Sequence, residues 1–266
     1  MSMPRRPLRL LVALAALLAL AVVAGCSGSS GSGGTSDDAE IGSATGGVLW
    51  RSDPTSGVLG SFEATPWNTD DAEAPTAVAS PDVPGRTAVA FTVPGGGTRS
   101  ELEPRFKDFS DGDRYWFGLS IFLPEDFPVD TDTWQVVAQW KNSGDGSPPL
   151  SVKVEGGRFV LDGGAGIGEA WQQDLGPART GRSTDLVIGV LFSDDPDTGR
   201  VDVWQDGREV LRAFHPPAGT LYPDEDAYLK IGLYRDSAIE EAGTVYYDDV
   251  VVADGRAAAS GLASAP

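Results

Sequence analysis

One cysteine and one histidine are all that this chain of 266 residues offers for thiol, disulfide and most zinc chemistry. With Cys26 alone, no disulfide can close within the chain. With His215 alone, set in Phe214-His215-Pro216-Pro217, neither a Ser-His-Asp triad nor a catalytic zinc centre finds its parts, and His215 reads as a loop residue. Positive charge is scarce as well. Lys and Arg number 20 against 39 Asp and Glu, for a formal charge of −19. Such a surface argues against nucleic acid and against general adhesion to anionic lipid. It also counts against a polyanionic ligand, unless the few cations are gathered in one cleft. Long amphipathic helical patterns are missing too, so no crossover helix is expected.

What the chain does have is 34 glycines and 19 prolines scattered between short apolar runs, the mark of a β-rich domain. The first 25 residues read as a signal peptide: Arg5, Arg6 and Arg9 precede an unbroken apolar run from Leu10 to Val23, and small residues close it. That run is short for a spanning helix. Val23-Ala24-Gly25-Cys26 resembles the lipobox of bacterial lipoproteins, which implies cleavage before Cys26 and acylation of its sulfur; an ordinary cleaved signal with a stray cysteine is the other reading. Residues 26–45 are mostly Gly, Ser, Thr and Asp and read as a flexible tether. The Ala-, Gly- and Ser-rich end, residues 255–266, reads as a disordered tail. One domain remains, residues 46–254, within the roughly 200 to 250 residues that all-β domains occupy. Removing the three leader arginines takes the charge from −19 to −22.

Within the domain, strand patterns recur at hairpin spacing. Entry strands are expected at Val48–Trp50 and Gly60–Glu63, with Asn68 to Pro84 as a loop. The run from Arg114 to Leu123 is apolar on both faces, as a central strand covered on both sides requires. Val136, Ala138 and Trp140 share one face of the next strand, with Val137, Gln139 and Lys141 on the other. Leu150, Val152 and Val154 alternate with Ser151, Lys153 and Glu155, and Gly156-Gly157 makes a hairpin to Arg158–Leu161. With the strands near 185–192, 200–204, 209–211, 228–235 and 244–252, at least ten strands point to two packed antiparallel sheets.

The polar faces are the informative ones. After Gly95-Gly96-Gly97, the stretch Thr98–Arg105 puts Arg99, Glu101 and Glu103 on one strand face and Ser100 and Leu102 on the other. Alone, such a face is read as solvated, with cross-strand ion pairs. Two distant strands carry matching polar positions opposite an apolar face, Gln139/Lys141 and Tyr228/Lys230/Tyr234, and Ser151/Lys153 is a fourth candidate. On one concave sheet they would form a groove of guanidinium, ammonium, amide and phenol groups. Such a groove suits an extended, anionic, hydroxyl-rich chain.

Arg-Ser-Glu-Leu (99–102), Ala-Gln-Trp-Lys (138–141), Tyr-Leu-Lys-Ile-Gly-Leu-Tyr-Arg (228–235) and Val-Tyr-Tyr-Asp-Asp-Val (245–250), in that order, resemble the motifs of the jelly-roll polysaccharide lyases of the heparin lyase, glucuronan lyase and alginate lyase type. The resemblance spans about residues 60 to 252 and implies an all-β, two-sheet antiparallel jelly-roll sandwich of concanavalin A-like fold. It also implies cleavage of a uronic-acid polysaccharide by β-elimination. That chemistry removes a proton from the carbon next to a carboxylate, so the carboxylate charge must be neutralised, a base must reach the proton and an acid the leaving oxygen. By resemblance, Arg99 and Gln139 hold the carboxylate and Tyr234 protonates the leaving oxygen and could also remove the first proton, a phenol with an ordinary pKa of about 10 serving as base only beside cations. Lys141, Lys230 and Arg235 are candidates for those cations. Glu101 would orient Arg99, and Lys153, Tyr228, Lys230 and Arg235 would line the substrate.

One residue departs from the pattern. Relatives commonly carry histidine two residues after the glutamine, where this chain has Lys141. A lysine neutralises a carboxylate but is a poor base near neutral pH. A carbohydrate-binding lipoprotein on the same scaffold, without catalysis, is therefore the second reading. A laminarinase-like hydrolase is a third, but its two-carboxylate chemistry has no Glu-x-Asp-x-x-Glu run to work with. No cofactor is expected. Acidic loops such as Asp194-Asp195-Pro196-Asp197 could bind a structural calcium or be plain solvated turns. The partners expected are an anionic polysaccharide and, through the lipid anchor only, a membrane, with no nucleic acid and a monomeric chain on the outer side of the cell membrane.

Overall fold

Short runs in which β-branched, leucine and aromatic residues alternate with small or polar ones become strands in the computed structural model, which describes residues 41, 46–63, 68–70 and 72–262. The signal peptide, Cys26 and most of the expected tether lie outside the described residues. In chain order the strands are β1 (Val48–Arg51), β2 (Phe62–Glu63), β3 (Thr69–Asp70), β4 (Thr76–Ala79), β5 (Thr87–Val93), β6 (Arg99–Pro104), β7 (Arg114–Leu123) and β8 (Gln135–Asn142). They continue as β9 (Leu150–Glu155), β10 (Arg158–Gly163), β11 (Trp171–Pro177), β12 (Arg182–Leu191), β13 (Arg200–Gln205), β14 (Arg208–Phe214), β15 (Ala227–Arg235) and β16 (Gly243–Ala253). Two short α-helices accompany them, α1 (Val58–Ser61) and α2 (Arg256–Ala259).

The strands make two antiparallel eight-stranded sheets. One runs β14-β13-β12-β7-β16-β5-β4 with β1 beside β16; the other runs β11-β10-β9-β8-β15-β6-β2 with β3 beside β6. This is the expected two-sheet jelly-roll sandwich. Its core lies between the sheets, where Leu102, Trp140, Val152, Leu229, Ile231 and Leu233 of the second meet Phe91, Phe117, Leu119, Leu186 and Val250 of the first. Phe117 packs edge-on against Trp140 with ring centroids 4.9 Å apart, and the Tyr247 hydroxyl of the first sheet donates to the Val137 carbonyl of the second.

Several local expectations change. Gly60-Ser61 belongs to α1, and only Phe62–Glu63 is strand. The expected loop Asn68–Pro84 contains β3 and β4, and β11 is a strand without a pattern to mark it. The expected disordered tail is ordered through residue 262: α2 lies on the outer face of the first sheet, and Ala259 is buried with Trp116, Val187 and Val251. Gly118 makes the room, since a Cβ there would stand 2.3 Å from the Ala259 carbonyl oxygen, and the Arg256 guanidinium lies 4.6 Å over the Trp204 ring. Ala259 is small enough to sit flat against that surface, with Ala258 packed beside it. Ile41, inside the expected tether, is buried in the same cluster, and its carbonyl accepts from Trp116 Nε1.

Candidate active site

β6, β15 and β8 are neighbours in the second sheet, so three motifs far apart in sequence present one surface. Tyr234 pairs with Arg99, Gly232 with Glu101, Lys230 with Gln139 and Tyr228 with Lys141. Direct partners in a sheet point their side chains to the same face. Arg99, Gln139, Lys141, Tyr228, Lys230 and Tyr234 accordingly line one cleft of about 1150 Å³.

The register is not uniform. A bulge lies between Ile231 and Tyr234 on β15 and between Val136 and Ala138 on β8. It reverses part of the expected facing: Val137 enters the core beside Ala138, while Val136 stands opposite Tyr234 and Lys153 on the other face. An extra residue in a strand shifts the two-residue period, which alternation alone does not show. Gly232 occupies the irregular position with φ +142, and a Cβ there would lie 2.3 Å from the Ser100 carbonyl oxygen. With no side chain at Gly232, Gln139 reaches across β15 and donates from Nε2 to Glu101 Oε1 at 2.5 Å.

Glu101 is the electrostatic centre of the surface. It is 1% exposed, with Arg99 Nε at 3.5 Å and Lys230 Nζ at 3.9 Å. Burial pushes its carboxyl up from the ordinary carboxylate range, against the pull of Lys230, Gln139 and Arg99. Burial also pulls the Lys230 ammonium down, with Glu101 opposing and Arg99 adding to the effect. The Arg99 guanidinium lies 3.9 Å over the Tyr234 ring, and Trp134 meets the same ring edge-on at 4.8 Å. That ring is thus held by two neighbours. Burial, then Lys230, pulls Lys141 down, and burial followed by Glu103 pushes Tyr228 up.

Two expected site residues lie elsewhere. Arg235 follows Tyr234, so the period of two turns it away from the cleft; it is fully buried, and its Nη2 donates to the carbonyls of Val93, Pro94 and Glu241 at 2.7–3.0 Å. Its work is to tie loops together. Lys153 shares the sheet face one strand further on, where it is ion-paired with Asp162, and it does not line the cleft. Residues without a local pattern also contribute. Asn68, fully buried, accepts from Lys230 Nζ at 2.7 Å and donates to Glu103 Oε1 at 2.8 Å, which gives Glu103 a partner inside the fold. Asn142 and Glu225 stand behind Lys141. Cations at the cleft's other end are engaged by acids, Arg105 by Glu63 and Lys107 by Asp113, each at 2.8 Å.

Among the described residues no group of three or more His, Cys, Asp or Glu side chains is placed to hold a metal ion. In the acidic turn at 194–197, Asp195 accepts from the Asp197 amide at 3.0 Å and the Thr198 hydroxyl at 2.8 Å, which makes it a self-capped turn.

Comparison with known proteins adds to this geometry. A family model described as polysaccharide lyase matches residues 59–251. No curated protein matches the chain. Among solved structures, the endo-β-1,4-glucuronan lyase from the fungus Trichoderma reesei superposes with a TM-score of 0.60 at 18% identity, covering 77% of this chain and 94% of that one. The alginate lyase A1-II', a member of polysaccharide lyase family 7, gives a TM-score of 0.49 at 18% identity, covering 62% of this chain and 78% of that one. At 18% identity the likeness to the glucuronan lyase is one of fold.

Proposed function

Because the chain belongs to the polysaccharide lyase family, we propose that its cleft cleaves a uronic-acid polysaccharide by β-elimination. The observation that carries this reading is the joining of Arg99, Glu101, Gln139 and Tyr234 on one sheet face, with Lys141 and Lys230 beside them. A uronate carboxylate set against Arg99, the remaining Gln139 N–H and Lys141 has its charge neutralised, so the neighbouring carbon can give its proton to the Tyr234 oxygen and leave a stabilised enolate. The electron pair left behind forms a carbon–carbon double bond as the bond to the glycosidic oxygen breaks, and Tyr234 protonates that oxygen. Glu101 holds Arg99 and Gln139 from behind. Lys141 serves as a charge neutraliser, in keeping with a buried ammonium at the cleft wall.

Lys141, at the position where relatives carry histidine, favours a second reading: a glycan-binding protein without catalysis. Both readings predict glycan binding, and only the first predicts an unsaturated product with the ultraviolet absorbance of a conjugated enol-carboxylate. Incubation with glucuronan, alginate, hyaluronan, pectate and heparin-type polymers separates them. Retained binding with no absorbance gain on any polymer would eliminate the lyase. The reading also places the domain outside the cell on a lipid carried by Cys26, which rests on the residue pattern from Arg5 to Cys26. Loss of membrane association in Cys26→Ser tests it.

A further inference from the structure

Two lysines of the cleft are held in the same way, each by an asparagine that is in turn held by a glutamate. Lys230 Nζ donates to Asn68 Oδ1 at 2.7 Å, and Asn68 Nδ2 donates to Glu103 Oε1 at 2.8 Å. Lys141 Nζ donates to Asn142 Oδ1 at 2.9 Å and to the Asn142 carbonyl at 3.0 Å, and Asn142 Nδ2 donates to Glu225 Oε2 at 2.5 Å. The purpose of an interposed carboxamide follows from its chemistry. A carboxylate in direct contact would use up the ammonium's charge and its donors; a carboxamide fixes the head group while the anion stays one side chain behind, near enough to favour the charged form. Lys230 also has Glu101 at 3.9 Å, whereas the acceptors that hold Lys141 belong to Asn142. Lys141 is thus held by carboxamide and carbonyl oxygens, with Glu225 one side chain behind.

We propose that Asn142 and Glu225 are positioning residues that hold the Lys141 head group, charged, at the cleft wall, where it takes a substrate carboxylate. The proposal rests on the uronate reading above. The charges facing Lys141 come from four places: Lys230 on β15 and Arg99 on β6 disfavour its cation, and Glu225 before β15 and Asp145 after β8 favour it. Tyr228 stands directly opposite on β15. Of the two favouring acids, Glu225 acts more strongly, and it is the one joined through Asn142.

The test is binding against pH, with an oligoglucuronate and an oligoalginate as probes. Glu225→Gln keeps an acceptor for Asn142 and removes the charge. The Lys141 cation should then be lost at lower pH, so affinity falls about tenfold in the alkaline range and stays within about twofold near neutral pH. Asn142→Leu should weaken binding about tenfold across the range, through the lost contact to a charged donor. In a Lys141→Gln background, Glu225→Gln should move nothing, since the group it acts on is gone. An unshifted profile in a Glu225→Gln protein with normal melting temperature overturns the proposal, as does a shift of equal size in the Lys141→Gln background. Binding with the predicted shift but no unsaturated product would overturn the lyase reading alone. Failure of the wild type to bind either probe would overturn both.

Discussion

At the scale of the residue, the proposed mechanism assigns the reaction to Tyr234 and its support to Glu101. Tyr234 keeps its ring contacts with Arg99 and Trp134 when only its hydroxyl is removed. Tyr234→Phe should therefore lower kcat by about a thousandfold, the range of a lost general acid, with KM within about twofold and an unchanged melting temperature. Initial rates of product formation decide it: undiminished turnover would take Tyr234 out of the mechanism. Glu101 answers to pH instead. Its folded-state pKa is raised by burial, so between the unfolded-state and folded-state values the folded protein holds a proton that the unfolded chain has released. Its contribution to stability therefore falls as pH rises from the ordinary carboxylate value through the raised one. Glu101→Gln leaves Arg99 and Lys230 short of an anion, but it lacks this slope, so its stability deficit should narrow as pH rises through that window. Urea unfolding of both proteins across the acid range measures the difference. A deficit that widens with pH would show that the two cations outweigh burial.

At the scale of the element, the site depends on two neighbouring register shifts, one on β15 and one on β8. Two sheet faces and most strands could be read from alternation, because a period of two assigns each side chain to a face; Arg99, Gln139, Lys141, Tyr228, Lys230 and Tyr234 all meet where that pattern puts them. The shifts could not be read, and the one on β8 exchanged Val136 and Val137. β4 and β11 escaped for another reason: each lies at an edge of its sheet, with few buried residues and so no apolar stripe. Asn68 and Glu225 come from outside the named strands, where spacing carries no information about facing. Gly232 is the element-scale test. An alanine there would meet an unfavourable φ and the Ser100 carbonyl together. Gly232→Ala should cost about 2–4 kcal/mol of stability and lower kcat/KM by displacing Tyr234 or the Gln139–Glu101 contact. A protein with unchanged melting temperature and activity would show that the bulge tolerates a side chain and is not what sets the site.

At the scale of the molecule, charge decides how the polyanion of the proposed function would arrive. The chain carries −19 overall, while the cleft gathers the cations Arg99, Arg105, Lys107, Lys141 and Lys230 beside the acids Glu63, Glu103, Asp108 and Asp145. Attraction is therefore local and repulsion is long-range. The two act over different distances: the screening length is about 30 Å at 0.01 M salt and about 10 Å at 0.1 M, whereas Lys141 and Lys230 are 8% and 3% exposed and would touch the ligand inside the cleft. Raising salt between those concentrations should remove repulsion at a distance before it weakens the contacts. The association rate of a uronate polymer should accordingly rise with salt over this interval, with a smaller change in dissociation, the reverse of a protein with a uniformly basic groove. Stopped-flow association at several salt concentrations measures it. A rate that falls steadily with salt would mean that the cleft's own field reaches beyond the acidic surface and steers the polymer in.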